Sequence, residues 1–81
     1  MRTEIIMPRA AQGMESGTVH RWLKGAGDVL ARGEPLLEIE TDKATLEIES
    51  PVDGTLVEII HPDGTEVPVG AVIGYVEAVG S

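Results

Sequence analysis

Apolar side chains along this chain recur with period two, in short runs that end at glycine or proline. Such alternation predicts β-strands, because successive side chains of a strand point to opposite faces of a sheet. The predicted strands are Glu4–Met7, Thr18–Leu23, Val29–Leu30, Leu36–Glu40, Thr45–Glu49, Thr55–Ile60, Glu66–Val67 and Val72–Glu77. No segment offers an amphipathic helix of about ten residues. The fold class is therefore predicted to be all-β.

The two halves of the chain match each other when the sequence is shifted by 37 residues. Gly17-Thr18 falls on Gly54-Thr55, and Gly27, Gly33 and Glu40 fall on Gly64, Gly70 and Glu77. Two similar halves imply a pseudo-twofold axis. Two antiparallel sheets packed face to face would cover both apolar faces. We therefore predict a flattened β-barrel or sandwich (a barrel-sandwich hybrid) of two four-stranded sheets.

A hairpin is predicted at the centre of this repeat, where two alternating strands flank the four-residue turn 41–44. Alternation directs Leu37, Ile39, Leu46 and Ile48 to the core, and Glu38, Glu40, Glu47 and Glu49 to solvent. Lys43, one of two lysines in the chain, then lies at the exposed tip. Its position alone favours a role without chemistry, because lysines at such sites usually increase solubility and protect sheet edges from pairing.

Composition narrows the classes of function. The chain has 81 residues, and residues 1–81 are predicted to form a single domain that is too small for a large active-site cavity. The net charge of −8 argues against nucleic acids and anionic membranes as partners. Neither a metal-ligand cluster nor a catalytic pair is evident, since His20 and His61 lie far apart among scattered acids. Without a signal or membrane-spanning pattern, a cytoplasmic, bacterial setting and a monomeric domain are expected.

The run Glu38–Ile48, Glu-Ile-Glu-Thr-Asp-Lys-Ala-Thr-Leu-Glu-Ile, resembles the lipoylation hairpin of lipoyl domains, in which the lysine of a central Asp-Lys-Ala turn carries lipoic acid. The resemblance covers nearly the whole chain. It extends to Met7-Pro8, Met14–Val19, Trp22–Lys24, Gly27-Asp28, Gly33-Glu34, Pro51–Gly54 and Val67–Gly70. In this family the domain usually belongs to a multidomain acyltransferase of a 2-oxo acid dehydrogenase complex, so the chain is expected to be an excised part of one.

The resemblance implies roles for six residues. Lys43 would be the lipoylated residue, while Glu40, three before it, and Gly54, eleven after it, would help lipoylating enzymes recognise the hairpin. Gly27 matches a position that is kept small in such domains, although a turn glycine with positive φ is an equally good interpretation. Asp42 and Ala44 would influence which decarboxylase accepts the lysine, or simply provide good turn residues.

The mechanism implied by the resemblance is a swinging arm. Lipoic acid on Lys43 would be reductively acylated by a thiamine-diphosphate-dependent decarboxylase, would pass the acyl group to coenzyme A at an acyltransferase core, and would be reoxidised by dihydrolipoyl dehydrogenase. A lipoate ligase or lipoyl transferase would attach the cofactor. The domain would catalyse none of these steps. Its contribution would be tethering, which raises the effective concentration of the carried group at neighbouring active sites.

Two alternatives stay open. Biotin carrier domains share the fold, but their modified lysine is normally flanked by methionines, where this chain has Asp42 and Ala44. The chain could instead be an unmodified β-sandwich that binds a basic partner through its acidic face. Residues 9–13 depart from the Ser-Pro-Thr-like or Gly-Met-Ser-like loop of many lipoyl domains, which leaves partner choice open. The sequence around Trp22 and Lys43 favours a pyruvate- or acetoin-type complex.

Overall fold

The computed structural model describes residues 2–10 and 12–79, and within them it contains eight strands. The strands are β1 (Arg2–Ile6), β2 (Ser16–Trp22), β3 (Val29–Leu30), β4 (Pro35–Glu40), β5 (Thr45–Glu49), β6 (Gly54–Ile59), β7 (Glu66–Pro68) and β8 (Val72–Ala78). Each predicted strand is confirmed, with its ends displaced by no more than two residues. None of the described residues belongs to a helix that could cross a membrane.

The strands form two four-stranded antiparallel sheets, one with the order β1-β8-β6-β3 and the other with the order β5-β4-β2-β7. Exchanging each strand for its counterpart in the other half, β1 for β5 and so on to β4 for β8, converts the first order into the second. Each half of the chain thus gives two strands to each sheet. The predicted pseudo-twofold arrangement of two packed sheets is confirmed.

The backbone repeats in the same way as the strand order. Four glycines matched by the 37-residue shift have positive φ: Gly27 (100°), Gly64 (87°), Gly33 (86°) and Gly70 (91°). The amide of Gly27 donates a hydrogen bond to the Leu56 carbonyl, and the amide of Gly64 donates to the Val19 carbonyl, both at 2.6 Å. The glycine matches therefore mark turns whose backbone bonds to the other half of the chain, which explains why the repeat is strongest at glycine.

The core lies between the sheets and consists of aliphatic and methionine side chains. Its buried members are Ile5, Met7, Met14, Val19, Leu30, Leu36, Leu37, Ile39, Leu56, Val67, Ile73 and Val76. Consecutive Leu36 and Leu37 are both buried, which strict alternation does not allow. The register of β4 against β5 shifts between Pro35 and Leu37, so this irregularity turns both leucines inward.

Trp22 closes one side of this core at the end of β2. Its side chain is half-buried, and its indole nitrogen donates to the His61 carbonyl at 2.9 Å. The ring lies against Gly74, where a Cβ atom would be 3.0 Å from the tryptophan ring. The Trp22 amide also donates to the Asp63 carboxylate at 2.9 Å. The His61 carbonyl thus holds the indole ring, and the Asp63 carboxylate holds the backbone of the same residue.

Candidate functional site

The β4–β5 hairpin carries the candidate site at its tip. Glu40 pairs with Thr45, Ile39 with Leu46 and Glu38 with Glu47, so the strands stay in register up to the turn. Residues 41–44 form the turn, and Lys43 is exposed. The predicted position of Lys43 at the exposed tip of a four-residue turn is confirmed.

Thr41 organises the backbone of this turn. Its amide donates to the Ala44 carbonyl at 2.8 Å, which closes the hairpin. Its hydroxyl oxygen accepts the amide protons of Lys43 at 3.2 Å and Ala44 at 3.1 Å. The sequence interpretation gave Thr41 no role. Threonine hydroxyls are known to accept hydrogen bonds from backbone amides a few residues later in a turn. The presence of Thr41 before the turn could therefore have indicated this role.

The amine of Lys43 is available for chemistry. Within the part of the chain that the structure describes, Lys43 forms no ion pair. The other lysine, Lys24, is held by Glu34, with 3.1 Å between its Nζ atom and a carboxylate oxygen. The Ala31 amide, followed by Lys24, lowers the pKa of the Glu34 carboxyl group. The two lysines therefore differ in kind, because one is half-buried in an ion pair and the other projects into solvent.

A shallow groove of about 200 Å³ lies beside Lys43, between residues 12–16 and residues 41–43. The buried Met14 forms part of its wall. This places the segment whose sequence departs from the usual lipoyl-domain loop next to the hairpin, although Ala11 within it is outside the described residues. The groove thus brings this segment and Lys43 together on one surface of the domain.

Carboxylates surround the hairpin, but they do not all project in the same way. Glu40, Glu47 and Glu49 are exposed, as predicted, and Asp42 in the turn is exposed as well. Glu38 instead lies half-buried beside Arg21, and its carboxylate accepts a hydrogen bond from the Arg21 Nε atom at 2.9 Å. The cross-strand arginine compensates the charge of Glu38, so the exposed acidic surface comprises the other four residues.

Gly54 lies on β6 in the other sheet, where it pairs with Leu30 of β3 and Ala78 of β8. It is buried, and a Cβ atom at this position would lie 2.2 Å from the Glu77 carbonyl oxygen. Close approach of two backbones therefore requires glycine here. The role of Gly54 in recognition by lipoylating enzymes stays a prediction, and the sequence interpretation missed this steric reason for the glycine.

Gly27 occupies the loop between β2 and β3, with φ of 100°. No atom lies within 4 Å of a Cβ atom built at Gly27, so space does not restrict this position, whereas backbone conformation does. The interpretation of Gly27 as a turn glycine is confirmed. Its proposed second role, as a position that recognition keeps small, stays a prediction.

Comparison with known proteins agrees with this geometry. The profile of the biotin/lipoyl family, described as biotin-requiring enzymes, matches residues 3–76. The succinyltransferase component of a 2-oxoglutarate dehydrogenase complex from Bartonella vinsonii is 47% identical over 96% of this chain. The acetyltransferase component of the pyruvate dehydrogenase complex from Corynebacterium glutamicum is 46% identical over 91% of it. The matched regions are only 19% and 11% of these two relatives.

Among solved structures, the lipoyl domain of the 2-oxoglutarate dehydrogenase complex from Azotobacter vinelandii superposes with a TM-score of 0.79. It is 32% identical in sequence, and the alignment covers 95% of this chain and 98% of that domain. The match therefore falls on a carrier domain rather than on a catalytic one. Lipoyl domains of this family carry lipoic acid covalently on a lysine. The chain belongs to the biotin/lipoyl family and is a lipoyl domain.

Proposed function

We propose that Lys43 is the residue of this domain that carries lipoic acid, through an amide bond to its Nζ atom. The observation that supports this most directly is the exposed position of Lys43 at the tip of a closed turn, outside any ion pair of the described residues. Lys24, the other lysine, would have to leave Glu34 before it could react. The residues present at the tip thus fit an attached cofactor.

The attached group would supply a dithiolane that carries an acyl group and an electron pair. The protein's part is mechanical and electrostatic. Residues 41–44 hold the root of the arm away from the core, and the two strands fix the direction in which it leaves the domain. Tethering then keeps the carried group near its partner enzymes at a concentration that free lipoamide could not match.

The partners are proposed from the relatives. The chain spans about a fifth or less of their length, and they are acyltransferase components of 2-oxoglutarate and pyruvate dehydrogenase complexes. We infer a thiamine-diphosphate-dependent decarboxylase, an acyltransferase core and dihydrolipoyl dehydrogenase as partners, with the domain acting as a monomeric unit. Since the relatives include components of 2-oxoglutarate, pyruvate and acetoin systems, the prediction of a pyruvate- or acetoin-type complex stays a prediction.

Recognition by a lipoate ligase or lipoyl transferase is proposed to involve Glu40, Asp42 and Ala44. All three are exposed and adjoin Lys43 at the same end of the hairpin. A protein surface that binds the amine would therefore lie beside all three. Gly54 and Gly27 lie elsewhere in the fold and have conformational or steric roles of their own, so their contribution to recognition must be measured in folded variants.

Intact mass spectrometry tests the attachment. The unmodified domain is incubated with lipoate ligase, ATP and lipoate, and in parallel with biotin ligase, ATP and biotin. We expect one lipoyl group on the wild-type domain and on Lys24→Arg, and none on Lys43→Arg. Lipoyl addition to Lys43→Arg would contradict the assignment. Addition of biotin alone would favour a biotin carrier, and no addition, under conditions that modify a known lipoyl domain, would favour an unmodified interaction module.

A further inference from the structure

We propose that Thr41 is a positioning residue for the modification of Lys43, because its hydroxyl group fixes the backbone that presents the lysine. This inference deepens the proposed function and rests on it for its consequence. The hydrogen bonding itself belongs to the unmodified domain and can be measured there.

Three hydrogen bonds use the full capacity of the Thr41 hydroxyl. The oxygen accepts the amide protons of Lys43 and Ala44, and the hydroxyl donates to the Ala44 carbonyl at 3.1 Å. A hydroxyl group has one proton to donate and two lone pairs to accept with, so no hydrogen-bonding capacity is left over. One side chain therefore holds both polar groups of Ala44 and the amide of the lysine.

The turn needs this support because its backbone lacks the positive-φ residue that usually forms a tight hairpin turn. Tight hairpin turns commonly rely on residues with positive φ, usually glycine or asparagine. Every described residue with positive φ in this chain is a glycine, and residues 41–44 contain none. In a simple β-turn the fourth amide donates to the first carbonyl, whereas here the Ala44 amide donates to the Thr41 side chain.

A fixed backbone at the tip has a direct effect on modification. A ligase must bind the lysine in one backbone geometry. If the turn populates several geometries, the apparent affinity falls in proportion to the fraction of molecules that have the right one. Ordering the turn before binding removes that cost. Thr41 acts through the amides of Lys43 and Ala44 and need not touch the enzyme.

Two substitutions separate the hydroxyl group from the shape of the side chain. Thr41→Val keeps the branched shape and removes the hydroxyl, while Thr41→Ser keeps the hydroxyl. Thr45→Val is the matched control, because Thr45 lies on the other side of the turn, is exposed, and makes none of the three bonds described above. Urea unfolding of each variant verifies that the domain remains folded.

Amide hydrogen exchange by NMR and ligase kinetics give the two readouts. In unmodified Thr41→Val we expect faster exchange at Lys43 and Ala44, and a kcat/KM for lipoylation reduced about two- to tenfold. The loss is modest because water can replace the three hydrogen bonds at this exposed turn. Thr41→Ser should restore both quantities, and Thr45→Val should change neither.

Unchanged exchange in Thr41→Val would show that the hydroxyl does not support the turn, and faster exchange with wild-type lipoylation would show that the support does not position the lysine. Either result overturns the inference. Failure of the wild-type domain to accept lipoate would contradict the proposed function instead, and the exchange rates would still decide whether Thr41 orders the turn.

Discussion

Replacing Gly54 by alanine tests how closely the backbones of β6 and β8 approach. A Cβ atom there would lie 2.2 Å from the Glu77 carbonyl oxygen and 3.0 Å from the Ala78 Cα atom. Both are backbone atoms, so no side-chain rotation can relieve the overlap. Reaching ordinary contact requires β6 and β8 to separate by roughly 1 Å, and β6 lies between two partners in its sheet.

Overpacking of this kind costs about 1–3 kcal/mol, and a clash with a central strand belongs at the upper end of that range. We therefore expect Gly54→Ala to lower the free energy of unfolding by about 3 kcal/mol. In a domain of this size each kcal/mol lowers Tm by about 4–8 °C, so Tm should fall by roughly 12–24 °C. Urea unfolding followed by circular dichroism measures the change directly.

Gly25→Ala is the matched control, since a Cβ atom there would meet only Asp28 Oδ2, at 3.8 Å, without positive φ. It should change the free energy of unfolding by less than about 0.5 kcal/mol. Equal stability of the Gly54 and Gly25 variants would refute the packing argument. Lipoylation of Gly54→Ala, measured at a temperature where it is folded, then separates sterics from recognition, because loss of modification in a folded variant would establish a recognition role.

The remaining predictions concern backbone conformation and charge. Gly27→Ala should destabilise the domain by about 1–2 kcal/mol in urea unfolding despite the open space around it, because φ of 100° strains an alanine; stability equal to that of Gly25→Ala would contradict this. Because the pKa of Glu34 is lowered in the folded state, its carboxylate stabilises the fold at pH values above its ordinary pKa of 4.5. That stabilisation is lost as the pH falls through the lower pKa of the folded state. Glu34→Gln should therefore flatten the acid side of the plot of urea midpoint against pH, and an unchanged slope there would contradict this.

Local pattern was sufficient to predict the strands and the tip of the hairpin. Alternation marks β4 and β5 up to the turn, and glycines stop most other strands, so each strand carries its own signal. The position of Lys43 follows from that alternation alone. Positive φ at Gly27 and Gly33, and at their counterparts in the second half, likewise shows that the repeat predicted real turns.

What the sequence could not provide depends on neighbours across strands. Nothing local indicates that Arg21 lies beside Glu38, or that the register shift near Pro35 buries both Leu36 and Leu37. The steric need for Gly54 also arises from a strand more than twenty residues away, at Glu77. Register and bulges are set by the assembled sheet, so these features become visible only in the structure.

The pseudo-twofold axis gives the lysine hairpin a unique place in the fold. Among the connections between the eight described strands, each has a counterpart in the other half except the one between β4 and β5. Its counterpart would join β8 to β1, which are neighbouring strands at opposite ends of the sequence. The repeat therefore imposes no matching residues on the turn that holds Lys43. The two packed halves fix the flanking strands, while the sequence of the turn between them can be specialised for chemistry. The hydrogen bonds of Thr41 then order this turn locally.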